Sequence, residues 1–193
     1  MYERHGKRAL DIAAALTLLL LLAPLMLGVA LAVRLALGAP ILFRQPRAGR
    51  HGLPFQLIKF RSMRPGPGED ATRLTRFGRA LRASALDELP QLLNILRGHM
   101  SLIGPRPLPA AYTPRYSSRQ ATRLRVRPGL AGLAQAAGRN AVPWEHRLEL
   151  DARYAERITL VGDLRIALRC ALVLLRGTGA TAPGHATMPE FRG

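Results

Sequence analysis

IAAALTLLLLLAPLMLGVALAV, running from Ile12 to Val33, is the stretch whose reading decides what kind of chain this is. Its 22 residues carry no charge, and as a helix they reach roughly 30 Å, enough to cross the hydrocarbon core of a bilayer. A signal peptide fits poorly, because the run is too long for an h-region and lacks a small-residue cleavage pattern. Two readings stay open: a single span with a tolerated proline, or a re-entrant hairpin. Pro24, close to the middle, removes a backbone donor and clashes with the preceding turn, so a kink is expected there. Arg4, Lys7 and Arg8 flank one end, and Arg34, Arg44, Arg47 and Arg50 flank the other. Positive charge therefore gives no inside–outside asymmetry, and the double basic flank suggests that both ends lie on the cytoplasmic side. Asp11 is expected at the interface, paired with Lys7 one turn earlier.

The whole chain has 193 residues, room for one modest core or for a small domain plus a membrane element. Against 12 Asp and Glu stand 29 Lys and Arg, a formal charge of +17 that calls for anionic partners: nucleic acid, anionic lipid or a phosphorylated substrate. Only 5% of residues are aromatic, which weakens a single-strand nucleic-acid binder, since such proteins stack bases on aromatic rings. The lone Cys170 excludes an intramolecular disulfide. His51, His99, His146 and His185 show no metal-ligand spacing, so a zinc site is not expected.

Beyond Pro40, Ile41 to Arg44 and Phe55 to Phe60 read as short strands around the turn Gly49-Arg50-His51-Gly52. Pro65 to Asp70 is a surface loop by composition. Helices are expected at Thr72 to Ala83, Asp87 to Arg97, Ser117 to Val126, Trp144 to Ile158 and Asp163 to Arg176. In the last, Arg165, Arg169 and Arg176 share a narrow arc beside Leu164, Leu168, Leu172 and Leu175. It suits either a membrane interface or an ordinary surface position.

The chemistry concentrates at Ser84-Ala85-Leu86-Asp87-Glu88-Leu89-Pro90-Gln91 and Gly104-Pro105-Arg106-Pro107. Asp87 reads as the N-cap of a helix with Pro90 in its first turn, and two acids there can simply satisfy the helix dipole. The surrounding arginines support a second reading. Arg79 and Arg82 precede the pair and Arg97 and Arg106 follow it, an arrangement able to hold a pyrophosphate. A carboxylate can attack phosphorus to form an acyl phosphate when a divalent cation screens the two anions from each other. Prolines on both sides stiffen the backbone that presents Arg106. Arg127-Pro128-Gly129 and Gly138-Arg139-Asn140 are glycine-containing turns able to bring backbone donors near a nucleotide.

Taken in order, Lys7-Arg8-Ala9-Leu10-Asp11, the proline-broken apolar run, Lys59-Phe60-Arg61-Ser62-Met63, Leu86 to Gln91, Ser101 to Pro107, Arg127-Pro128-Gly129 and Gly138-Arg139-Asn140 resemble the monotopic phosphoglycosyl transferases, also called bacterial sugar transferases. Within that family Met1-Tyr2-Glu3-Arg4 and the ending Gly184-His185-Ala186-Thr187, with Phe191 and Gly193, resemble the branch that transfers bacillosamine phosphate in bacterial protein glycosylation. The resemblance implies a mostly α, membrane-associated fold with minor β. Residues 1–38 would form a re-entrant membrane helix-break-helix, and residues 39–193 a catalytic domain at the cytoplasmic face of the bacterial inner membrane.

The reaction it implies moves a sugar 1-phosphate from a UDP-sugar, UDP-N,N'-diacetylbacillosamine in that branch, to polyprenyl (undecaprenyl) phosphate with release of UMP. Asp87 matches the nucleophile and a contact to Mg²⁺, and Glu88 its acidic partner. Lys59, Arg82, Arg106 and Arg139 match phosphate-binding positions. Membrane lipids are expected partners and nucleic acid is not. Ala23, His99 and Leu133 depart from the serine, aspartate and tryptophan common at those places. A UDP-hexose or UDP-N-acetylhexosamine donor remains open, as does a non-catalytic basic scaffold that binds anionic lipid or nucleic acid.

Overall fold

The computed structural model of the protein describes residues 2–176 and 190–193; Gly184 to Thr187, part of the ending quoted above, lie outside the described residues. Among the described residues the chain is mostly helical with two small sheets. One helix, α1 (Lys7–Leu37), is long and apolar enough to cross a membrane. It stops where Gly38 takes φ +77° and Pro40 follows, a left-handed residue and then a helix breaker.

The backbone stays helical through Pro24, so the expected helix-break-helix is not a break in secondary structure. A proline withholds one donor, and in an apolar leucine-rich helix the remaining hydrogen bonds have no competitor. Both halves of α1 pack on the same body. Ala15 sits with Phe55, Leu57, Leu92, Ile95 and Met100, while Val29 and Val33 sit with Phe60 and Leu81. Leu20, Leu21, Leu27, Leu31 and Leu35 stay exposed. Each leucine left in water forgoes roughly 1.5–3 kcal/mol of burial, so this face needs an apolar surrounding.

The first charged turn of α1 is tied differently from expectation. Lys7 pairs with Asp163 at 2.6 Å, not with Asp11. Asp11 is buried and accepts from the Leu102 N–H at 3.0 Å. Tyr2 and Tyr154 hydroxyls also donate to Asp163, at 2.6 and 2.9 Å. A buried carboxylate takes the partners that desolvate with it, and long-range donors here outcompete the neighbour one turn away.

Strands β1 (Leu42–Ala48) and β2 (Pro54–Phe60) pair antiparallel, from Leu42 opposite Phe60 to Ala48 opposite Pro54. The expected helix at Thr72 to Ala83 is two pieces, α2 (Asp70–Arg73) and α3 (Arg76–Ala83). Thr75 is extended and its side chain accepts from the Gly78 N–H, so it starts a new helix instead of continuing the old one. Helix α4 (Gln91–Leu96) is fastened to the outer edge of β2 by Asn94, which is fully buried. Its Oδ1 accepts from the Ile58 N–H at 3.0 Å and its Nδ2 donates to the Gln56 carbonyl at 2.8 Å, in place of a third strand.

Strands β3 (Ser101–Ile103) and β4 (Gly129–Ala131) run parallel, with the short α5 (Ser118–Ala121) between them in sequence. Ser117 closes a capping box with Gln120 at the start of α5. Helices α6 (Leu133–Ala136), α7 (Trp144–Glu156) and α8 (Leu160–Leu175) complete the body. α8 begins three residues earlier than expected, because Thr159 accepts from the Gly162 N–H. Its Val161, Leu164, Leu168, Leu172 and Leu175 recur at helical spacing and remain exposed.

Candidate active site

A cleft of about 820 Å³ opens where β1, β2, the end of α3, the Asp87 turn and the start of α7 meet. Ten arginine and lysine side chains and three carboxylates line it. This surplus of cations in a concave, partly desolvated wall focuses a positive potential on whatever enters.

Asp87 and Glu88 stand on a single 3₁₀ turn, Leu86–Glu88. Asp87 is therefore not the N-cap of the next helix; Pro90 occupies that position for α4, with no side-chain cap. The cause lies at Ala85, whose φ of +55° turns the chain sharply after α3. An alanine in the left-handed region is strained, and such residues concentrate at functional sites. Asp87 is 4% exposed, yet no hydrogen bond or ion-pair contact among the described residues engages its carboxylate. Burial, then the adjacent Glu88 charge, pushes its carboxyl up to about 6, against the pull of Lys59, Arg82 and Arg106.

Glu88 behaves oppositely. Burial, the largest influence, raises its carboxyl, but the Arg106 guanidinium, with Lys59 and Arg139 adding to it, holds it below the usual range. The contact is a fork, Nη2 to Oε1 at 2.7 Å and Nη1 to Oε2 at 3.5 Å. One carboxylate of the pair is thus neutralised by a partner, and the other is left open to the cleft.

The structure brings Lys59, Arg82, Arg106 and Arg139 together around this turn. Lys59 comes from β2, and its Nζ lies 5.5 Å from the Phe43 ring centre on the paired strand. Burial lowers its ammonium, while Asp87 opposes that shift. Arg82 Nε donates to Ser62 Oγ at 2.8 Å. Gly78 makes this approach feasible, since a Cβ there would meet the Ser62 carbonyl oxygen at 1.9 Å. Arg139 donates to the carbonyls of Arg82 and Ala83, at 3.0 and 3.3 Å, and so closes the C-terminus of α3 as well as lining the cleft. Arg79 and Arg97 are not among the lining residues.

Three contributors were missed in the sequence. Arg47 and Arg147 line the cleft, and burial lowers both guanidiniums to about 10, with Arg106 adding to the shift. Arg61 sends Nη1 to the Ala39 carbonyl and Nη2 to those of Leu37 and Gly38, at 2.9, 2.5 and 2.6 Å. It thereby fixes the end of α1 one residue from Ser62. Arg61 stands inside the quoted Lys59-to-Met63 stretch, but the targets of all three have no local signature, because an arginine aimed at a carbonyl looks in sequence like any surface arginine.

In the turn Arg127-Pro128-Gly129 the glycine is required by packing, and Arg127 is not among the residues lining the cleft. A Cβ on Gly129 would lie 2.0 Å from the Gly104 nitrogen, so the two backbones cross in contact and only glycine fits.

A family model described as bacterial sugar transferase matches residues 2–177. The uncharacterized sugar transferase EpsL of Bacillus subtilis is 43% identical to the chain, with 97% of this chain and 96% of that protein covered. The UDP-glucose:undecaprenyl-phosphate glucose-1-phosphate transferase of Caulobacter vibrioides is 46% identical, with 88% of this chain and 69% of that protein covered. The undecaprenyl-phosphate galactose phosphotransferase of Salmonella typhimurium is 36% identical; 92% of this chain matches 42% of that longer protein. With nearly every described residue inside the family match, and with relatives of this identity aligned along most of it, the chain belongs to the bacterial sugar transferase family.

Proposed function

We propose that the protein transfers a hexose 1-phosphate from a UDP-hexose to polyprenyl phosphate, releasing UMP, through a covalent intermediate on Asp87. The observation that carries this reading is the pairing of an open, buried carboxylate with a neutralised neighbour, inside a cleft lined by ten cations. An Asp87 oxygen attacks the sugar-linked phosphorus, the bond from that phosphorus to the bridging oxygen breaks, and UMP leaves with that oxygen. An oxygen of polyprenyl phosphate then attacks the same phosphorus, the acyl-phosphate bond breaks and the Asp87 carboxylate is restored. Lys59, Arg82, Arg106 and Arg139 bind and orient the anionic oxygens through both steps. Glu88, held by Arg106, keeps that guanidinium beside the nucleophile.

The donor set fits Mg²⁺, a hard ion that commonly takes one or two carboxylates plus substrate phosphates. Asp87 would hold it together with the donor's diphosphate, where it screens one anion from the other. UMP release is therefore expected to fall to background in EDTA and to return when Mg²⁺ is restored.

Glucose and galactose are the sugars named in the relatives with an assigned donor, which favours a hexose over the bacillosamine donor suggested by the chain ends. A panel of UDP-glucose, UDP-galactose, UDP-N-acetylglucosamine and UDP-N,N'-diacetylbacillosamine decides the point. A hexose donor should give the fastest UMP release. Turnover with the bacillosamine donor alone would overturn the sugar and leave the reaction standing, whereas none with any donor would favour a binding scaffold.

The same reading places the protein on the cytoplasmic face of the bacterial inner membrane, with α1 entering and leaving on one side. Contact of both halves of α1 with one body supports this topology, since a straight span would carry one half away from it. The exposed leucines of α8 then lie in the interface. Cysteines replacing Glu3 and Arg50 in turn, in a Cys170→Ser background, are both expected to resist an impermeant thiol reagent applied from the periplasm. Labelling of only one would establish a span.

A further inference from the structure

Pro105 and Pro107 stiffen the segment around Arg106 but also strip it of two backbone donors, so it is secured through its carbonyls. The Gly129 N–H donates to the Pro105 carbonyl at 2.8 Å, and Arg47 Nη1 to that of Pro107 at 3.3 Å. Between them, Arg123 Nη2 donates to the Arg106 carbonyl at 2.5 Å. Arg123 is itself buried and held from α7, its Nη2 and Nε reaching Asp151 Oδ2 at 2.8 and 3.2 Å. Its Nη1 donates to the Tyr116 hydroxyl at 3.2 Å.

From this geometry we propose that Arg123 and Asp151 are positioning residues for the transfer, holding Arg106 by its main chain so that its side chain can fork Glu88. The inference rests on the proposed reaction. A buried ion pair contributes little net stability compared with apolar side chains of like volume. Its use here lies in direction, because an apolar pair cannot donate to the Arg106 carbonyl. With that bond lost, the Glu88–Arg106 fork drifts relative to Asp87, and a displacement near 1 Å lowers rate on the order of 100-fold.

The test is the double variant Arg123→Met/Asp151→Leu, with Asp151→Asn beside it. Single-turnover UMP release by the double variant is expected to slow about 100-fold, with its thermal midpoint near that of the parent. The donor KM should change less than about threefold, because the remaining cations of the cleft still bind the diphosphate. Hydrogen exchange in a peptide spanning residues 101–108 should become faster while α1 and β2 stay protected. An unchanged rate in a folded double variant would overturn the proposal, as would a loss that merely follows the unfolded fraction in both variants. If the parent itself releases no UMP, the reaction fails as a reading, and the exchange of residues 101–108 still decides whether the pair holds the segment.

Discussion

Asp87→Asn is expected to remain folded and to lose phosphosugar transfer on the order of 10⁴-fold or more, the scale seen when a covalent nucleophile is removed. The amide has nearly the same shape but no anionic oxygen with which to attack phosphorus. Little structural loss should accompany it, because the carboxylate makes no hydrogen bond among the described residues. The sign of the residual stability effect follows from the raised carboxyl, pushed up to about 6. Between the unfolded value and about 6 the folded state holds that proton more tightly, so stability falls as pH rises through this window. Above it the full penalty of the buried charge is present, and the amide removes that penalty. In metal-free buffer at pH 7.5 the variant should melt at or above the parent temperature. UMP release and thermal melting check both halves of the expectation, and peptide mass mapping of an adduct trapped on the parent identifies the nucleophile. An adduct on Glu88 would exchange the roles of the two acids.

Gly129→Ala is expected to cost about 4 kcal/mol or more, near the upper end for single substitutions. The added Cβ would lie 2.0 Å from the Gly104 nitrogen, 2.5 Å from the Ala131 carbonyl oxygen and 2.6 Å from the Gly104 Cα. All three are backbone atoms, and none can swing aside as a side-chain tip would. They are fixed by the Gly104 N–H to the Ala131 carbonyl at 2.9 Å, the Gly129 N–H to the Pro105 carbonyl at 2.8 Å and the Ser101 N–H to the Pro128 carbonyl at 2.9 Å. Relief requires separating β3 from β4, and with them the segment that carries Arg106. For a domain whose whole stability is roughly 5–15 kcal/mol, this is a large share. Denaturant melting should show the loss directly. Unaltered stability with weakened UDP binding would instead restore a nucleotide-facing role to the turn.

The parts of the fold legible in the sequence were those set by local rules. Short apolar runs around a glycine-rich turn located β1 and β2, although β1 runs four residues past its expected end at Arg44, and α7 differs from its expected range only at the C-terminal end. Local rules failed where a distant partner decided the outcome. Lys7 has Asp11 one turn away, yet binds a residue 156 positions distant. Asp87 satisfies every compositional rule for an N-cap, but Ala85 turns the chain first and leaves Asp87 facing the cleft. The acidic pair and its arginines stood out because unlike charges crowd a short stretch. Arg47, Arg123 and Arg147 did not, since their targets are carbonyls and a buried carboxylate reached only after folding.

The arginines that end on helix carbonyls bear on how this chain tolerates lysine. Arg8 closes α4 through the Ile95 and Leu96 carbonyls, Arg139 closes α3, and Arg61 closes α1 through three carbonyls at once. A planar guanidinium spreads its donors widely enough to reach successive carbonyls, whereas an ammonium is a compact point donor. Replacing these residues by lysine keeps the formal charge of +17 and still opens three helix ends. Charge conservation is therefore the wrong measure of a mild substitution in this protein; the shape of the cation is what these positions select.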